Sequence, residues 1–362
     1  MKHINQNLKN LAFIAIATLG LMFSACFDPK INTKLDSSPS LKNTNPLTDK
    51  SKHIYHPKNR DELVQLLKDE SIKLDTIDTS KITNMGCLFA NMFHVSYCPE
   101  LKAIEEIEHY ARQCQNTAEY RKDFGGIETW DVSKVTDMSF MFASVKSFNQ
   151  PLNSWNVGNV KDMSSMFCEA YSFNQPLDKW NVGKVENMSG MFFGATSFNQ
   201  PLDKWDASKV KDMAHMFSDT ILFNQPLNKW NVSNVKNMSG MFLRADLFNQ
   251  PLDKWDVSNV EDMGAMFWGA IPFNQPLNSW DVSNVKNMSG MFAYTKSFNQ
   301  PLDKWNVSNV ENMGEVFRGA KSFNQPLDKW DVSSVTNMSH MFSDTILFNQ
   351  PLNKWNVSKV KI

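Results

Sequence analysis

This chain of 362 residues lacks an excess of charge of either sign. Its formal net charge is −1 with 21% charged residues, so it has no basic field of the kind that nucleic-acid binding relies on. A membrane-length apolar run is missing at the amino terminus: residues 11–23 form a 13-residue stretch, where a span needs about 20. Histidine is scarce, seven in all, and His215 and His340 each occur once at a variable repeat position. No Ser-His-Asp arrangement, Gly-rich phosphate loop or metal-ligand spacing is present. The expectation is therefore a protein that is not an enzyme and needs no cofactor.

Cysteine is also sparse, with five in the chain: Cys26, Cys87, Cys98, Cys114 and Cys168. His94, Cys98, His109 and Cys114 match no zinc-finger spacing, so no metal is expected. Residues 99–115 carry Leu101, Ile104, Ile107, Tyr110 and Ala111 on one helical face, which predicts an inserted helix. Were that helix continuous, Cys98 and Cys114 would sit roughly 24 Å apart, while a bridge needs Cα atoms within about 7 Å. Either the helix is broken or the pairing involves Cys87. Cys87, Cys98 and Cys114 are the candidate disulfide cysteines.

What the chain does have is a strict period. Tryptophan recurs from Trp130 to Trp355 at every 25th residue, and Phe-Asn-Gln-Pro-Leu recurs in phase from Phe148 to Phe348. No insertion or deletion breaks the register, and most of the 21 Met, 26 Phe and 11 Trp are repeat positions. Such a period is the signature of a solenoid, in which each unit buries its apolar face on its neighbours.

In the first full unit the near-fixed apolar positions are Trp130, Val132, Val135, Met138, Met141, Phe142, Phe148 and Leu152, all expected to point inward. Asp137 before Met138, Met141 and Phe142 predicts one capped α or 3-10 turn. A short strand is expected at residues 131–135 or 147–152; because Pro151 cannot donate to a ladder, a strand that ends before it or one confined to 132–137 is favoured. Asn149 and Gln150 read as an internal amide ladder beside Pro151, in preference to a ligand stripe. The methionines read as core, not as a copper stripe. An exposed tryptophan row for glycans is the weaker alternative to buried tryptophans. Variation concentrates just after each Met-Phe pair. Arg244, Trp268, Tyr294 and Arg318 are the best anchors on that ridge, since such residues dominate hot spots.

Residues 1–25 read as an export signal, with Lys2 and Lys9 before the apolar run and Ser24-Ala25 before Cys26. Residues 26–56 are polar, with Pro29, Pro39 and Pro46, and predict a flexible tether. Residues 57–128 form a small helical cap. It holds a helix at 57–70 started by Asn59 or Asp61, then a degenerate unit in which Ile77 replaces tryptophan. Residues 129–362 form ten 25-residue repeats, the last incomplete. Residues 355–362 stop before the next Met-x-x-Met-Phe without a polar cap, so either a partner covers this half-coil or the frame is truncated relative to longer relatives.

The signal ending at Cys26 resembles a bacterial lipoprotein signal, which implies lipidation of Cys26. The unit WDVSNVKNMSGMF…FNQPL and the entry IDTSKIT resemble the repeat of BspA-like bacterial surface lipoproteins, a divergent leucine-rich-repeat group. The resemblance spans about residues 57–362 except the insertion near 90–120. It implies a leucine-rich-repeat-like solenoid held at the outer membrane surface through the lipid on Cys26, with adhesion to a host matrix or epithelial protein. The chain is expected to be a monomer with no nucleic-acid partner. A passive surface antigen of variable repeat number is the competing expectation.

Overall fold

The computed structural model describes residues 45–91 and 114–361. Cys26, Cys98 and most of the helix expected at 99–115 lie outside them. The chain opens with the cap. Helix α1, Arg60–Leu67, is shorter than the sequence suggested and starts at Asn59, whose side chain accepts from the Glu62 N–H. Glu62 reaches back to accept from the Lys58 N–H at 2.8 Å, closing a reciprocal cap that stabilises the first turn. Leu63, Val64 and Leu67 turn inward and are fully buried.

Arg121 ties the cap together. Its guanidinium donates to the carbonyls of Leu67, Asp69 and Ile72, and its Nε donates to that of Asp123. These carbonyls end α1 and the turn after it, where no intrahelical donor exists. Residues 45–56, expected to be tether, are docked. Asn45 is buried and donates to the carbonyls of Glu128 and Trp130, and Tyr55 bridges Ile77. A side-chain amide buried with two acceptors is fixed, which is why this end of the polar segment does not behave as a linker.

From Trp130 onward the chain is a stack of 25-residue coils. The expected strand shrinks to one bridged residue per coil, the parallel series Asp137, Asp162, Asn187 and so on to Asn337. The expected α or 3-10 turn after it is also absent. The reason is the destination of the backbone N–H groups. In the first coil Met138, Phe140, Phe142 and Ser144 donate to the carbonyls of Asp162, Ser164, Met166 and Cys168 in the next coil. The alternate residues Met141, Ala143 and Val145 close turns onto Met138, Phe140 and Phe142. A helix would keep all of these bonds within one coil. Phe140 and Ser144 are left-handed, with φ of 55° and 58°, and this sets the alternation. Asp137 still caps, accepting from the Ser139 N–H at 2.9 Å, but it caps a turn.

The inward positions stack like on like. Phe142 and Phe167 lie 5.7 Å apart at 8°, and Trp180 and Trp205 lie 6.3 Å apart at 4°. The in-register tryptophans from Trp130 to Trp330 are buried, and each of their indoles from Trp180 onward donates to a leucine carbonyl 28 residues back, as Trp180 does to Leu152. They therefore form no exposed glycan-binding row. The methionines from Met138 to Met313 are core. The amide ladder is present: Asn149 Oδ1 accepts from the Asn174 N–H and from Gln175 Nε2, and the same pair of bonds recurs up to Asn324 with Asn349 and Gln350. It runs along the surface, however, and serves the next coil's N–H, not a buried corner.

Phe217 is fully buried and stacks on both Phe192 and Phe242. Phe217→Ala should cost about 3–5 kcal/mol. The loss would be read as a lower urea midpoint in tryptophan fluorescence, and a change below about 0.5 kcal/mol, as at a surface site, would contradict the stacked core.

Candidate partner-binding edge

Each coil carries two left-handed residues four apart, and these build one edge of the stack. The first series runs from Phe140 to His340 and the second from Ser144 to Asp344. Glycine adopts this conformation without cost, whereas other residues lose roughly 1–2 kcal/mol. Large side chains and glycines therefore share the edge. A Cβ added at Gly290 would come within 2.5 Å of Trp268 Cε3, and one at Gly319 within 2.7 Å of Tyr294 Cδ1. Gly269 lies under Arg244 in the same way, and Gly240 under His215. The aromatic and basic side chains lie across the glycines of the following coil.

Three of the four ridge residues meet. Trp268 and Tyr294 have ring centroids 5.5 Å apart at 51°, and the Arg318 guanidinium lies over the Tyr294 ring at 5.6 Å. Arg318 is held from below by Glu315 at 3.0 Å. Arg244 lies to one side and grips Asp219 of the preceding coil through both carboxylate oxygens, each at 2.7 Å. Beneath Trp268 a shallow cleft of about 200 Å³ is lined by Gly290, Gly314, Glu315 and Asn337.

The repeats match the family model described as "Mycoplasma protein of unknown function, DUF285" over residues 112–221, 200–301 and 273–362. The chain belongs to the DUF285 family. It is thus a tandem-repeat protein of a family without an assigned function, and the match covers well over half of its length. No curated protein and no solved structure matches it.

Other candidate residues of this DUF285 protein fall elsewhere. Cys87 and Cys114 form a disulfide with Cα atoms 5.2 Å apart, at the cap end of the stack. Cys168 is buried and takes no part in a disulfide. His215, at its variable repeat position, is half-buried in the edge, with Phe193 edge-on at 6.5 Å. Burial pushes its imidazole below the usual histidine range, against the pull of Asp262 and Asp219. Asp246 is shifted upward, mainly by burial and further by Asp219, with Arg244 opposing.

A set of surface residues escaped the sequence reading. Ile221, Leu222, Leu247 and Ile271 are 40%, 45%, 50% and 41% exposed. They sit two or three residues beyond the left-handed edge position in three consecutive coils. The signal was present in the sequence: these places read Ile221-Leu222, Asp246-Leu247 and Ile271-Pro272, between Thr196-Ser197 and Lys296-Ser297.

Gly290→Ala adds a methyl where Trp268 lies and a side chain at φ 62°. It should displace the indole and destabilise the protein by about 1–2 kcal/mol. Trp268 would become more accessible to a fluorescence quencher. An unchanged quenching constant would contradict the seating of Trp268 on Gly290.

Proposed function

We propose that this protein is an exported lipoprotein, anchored through Cys26, whose leucine-rich-repeat-like solenoid displays the variable edge to a protein partner on host cells or matrix. One observation carries the reading. The recurrent residues are engaged in making the stack, the tryptophans with leucine carbonyls and the asparagines with the next coil. The residues that vary are gathered on one edge, where Trp268, Tyr294 and Arg318 form a joined cluster. Tryptophan, tyrosine and arginine are the residue types that dominate binding hot spots. The likeness of the repeat to BspA-like surface lipoproteins supports the adhesive role and an outer-surface location. Acyl chains on Cys26 would supply anchoring of about 0.8 kcal/mol for each buried CH₂.

A second reading is favoured by the uniformity of the coil interfaces. The same bonds join Met138 to Asp162 and Met263 to Asn287, so coils can be gained or lost without new chemistry. A surface antigen of variable repeat number needs nothing more.

Protease shaving of intact cells, followed by mass spectrometry for repeat peptides and acylated Cys26, tests the display. Release of repeat peptides is the expected result, and full protection of an acylated chain would place the stack on the inner side and sink the adhesive reading. Purified protein should then bind epithelial cells saturably, with Trp268→Ala weakening binding by about tenfold, a loss of roughly 1.4 kcal/mol. Equal binding by the variant would remove the edge from the interface.

A further inference from the structure

We infer that the exposed aliphatic patch on the coils containing Ile221, Leu247 and Ile271 docks an aliphatic protein segment that places one basic residue against Asp246. This rests on the partner-binding reading above and specifies what the partner presents.

The first observation is the confinement of the patch. Four exposed aliphatics occur on three consecutive coils, and the coils on either side carry Thr196-Ser197 and Lys296-Ser297 at the same two places. Scattered surface leucines need no explanation, but a contiguous apolar set rimmed by polar residues marks an interaction surface. Folding does not require apolar residues there, because neighbouring coils hold the same backbone with serine, threonine or lysine. The Ile-Leu pair returns at Ile346-Leu347, also exposed, but as a single coil.

The second observation is the charge at its centre. Asp246 stands between Ile221 and Ile271 in the same series of positions, beside Leu247. Arg244, the cation that acts on it, already holds both oxygens of Asp219. The carboxylate is exposed, with isoleucine at its position in both neighbouring coils and a second acid, Asp219, acting on it. An ion in such surroundings gains most from a partner cation that arrives as water leaves. A basic residue flanked by aliphatics satisfies both halves of the surface at once. Arg244 and Trp268, on the same coils, form the rim that would exclude water from the contact. A glycan would leave the aliphatics unmet, and an anionic lipid surface would face Asp246 and Asp219 with like charge.

The test uses the full chain and short synthetic peptides in which leucines flank a central lysine, glutamate or norleucine, labelled for fluorescence anisotropy. The lysine peptide should bind saturably, with the glutamate and norleucine peptides at least tenfold weaker. Asp246→Asn should weaken the lysine peptide by about tenfold and flatten the difference between lysine and norleucine, as expected for loss of a partly desolvated charge pair. Leu247→Ser installs the residue found at Ser197 and Ser297, so it leaves the stack intact, and it should weaken all three peptides. Equal binding of the lysine and glutamate peptides, binding of none, or an unaffected Asp246→Asn variant overturns the proposal. So does preferential uptake onto phosphatidylglycerol vesicles, or self-association of the chain that Leu247→Ser abolishes. Cell binding that is lost in Trp268→Ala but kept in both Asp246→Asn and Leu247→Ser would leave the scaffold reading standing and overturn this one.

Discussion

The stack depends on where alternate backbone N–H groups go. At residues 138, 140, 142 and 144 they leave their own coil for the carbonyls of the next, and at 141, 143 and 145 they stay and close turns. Neither a helix nor a sheet divides its donors in this way. The division requires left-handed residues at Phe140 and Ser144, and each such residue that is not glycine opposes folding by roughly 1–2 kcal/mol. Against that stand at least five backbone bonds per interface and the burial of eight large apolar side chains per coil, each contributing about 1.5–3 kcal/mol. Packing outweighs strain, and so the conformation persists even where the residue is His215, Arg244 or Tyr294.

Vertical columns then fix the register. Phenylalanine stacks on phenylalanine and tryptophan on tryptophan, and the Asn149 series passes one pair of amide bonds upward. Charged columns are less uniform. Glu186 meets Lys211 at 2.6 Å, and Glu261 is shared by Lys236 at 3.5 Å and Lys286 at 3.1 Å. Exposed pairs of this kind contribute only about 0–1 kcal/mol each. The column does not alternate strictly, since Lys211 and Lys236 occupy the same position in neighbouring coils, so it does little to hold the coils together. The apolar columns and the amide ladder hold the stack.

Much of this was legible in the residues themselves. Trp130, Val132, Met138 and Phe142 recur because each must meet its own copy, and periodicity reports such positions directly. The ridge residues were legible for the opposite reason: core packing does not dictate them. The path of the backbone was hidden. Left-handed φ is announced by glycine, and glycine occurs in these series at Gly190, Gly240 and Gly290 but not at Ser165 or Glu315, so the pattern reads as ordinary variation. The capped turn looked helical because Asp137 and the spacing of Met138, Met141 and Phe142 satisfy the same local rules whether the next N–H stays or leaves. The docking of Asn45 depends on carbonyls 83 and 85 residues away, which no local pattern can reveal. The aliphatic patch was visible only by comparing one pair of columns across coils.

The sameness of the coil interfaces also has a mechanical meaning. Tension applied along the chain meets, at each step, the bonds between one coil and the next, such as Met163 with Asn187 or Met213 with Asn237. The recurrent set of backbone bonds is the same at each interface between full coils, and the additions to it are few, such as Ser172 to Lys146 and Ser297 to Ile271. Under pull the coils should peel in sequence at nearly equal force, lengthening the molecule in even increments and re-forming as tension falls. A protein standing between two surfaces would then yield gradually under load.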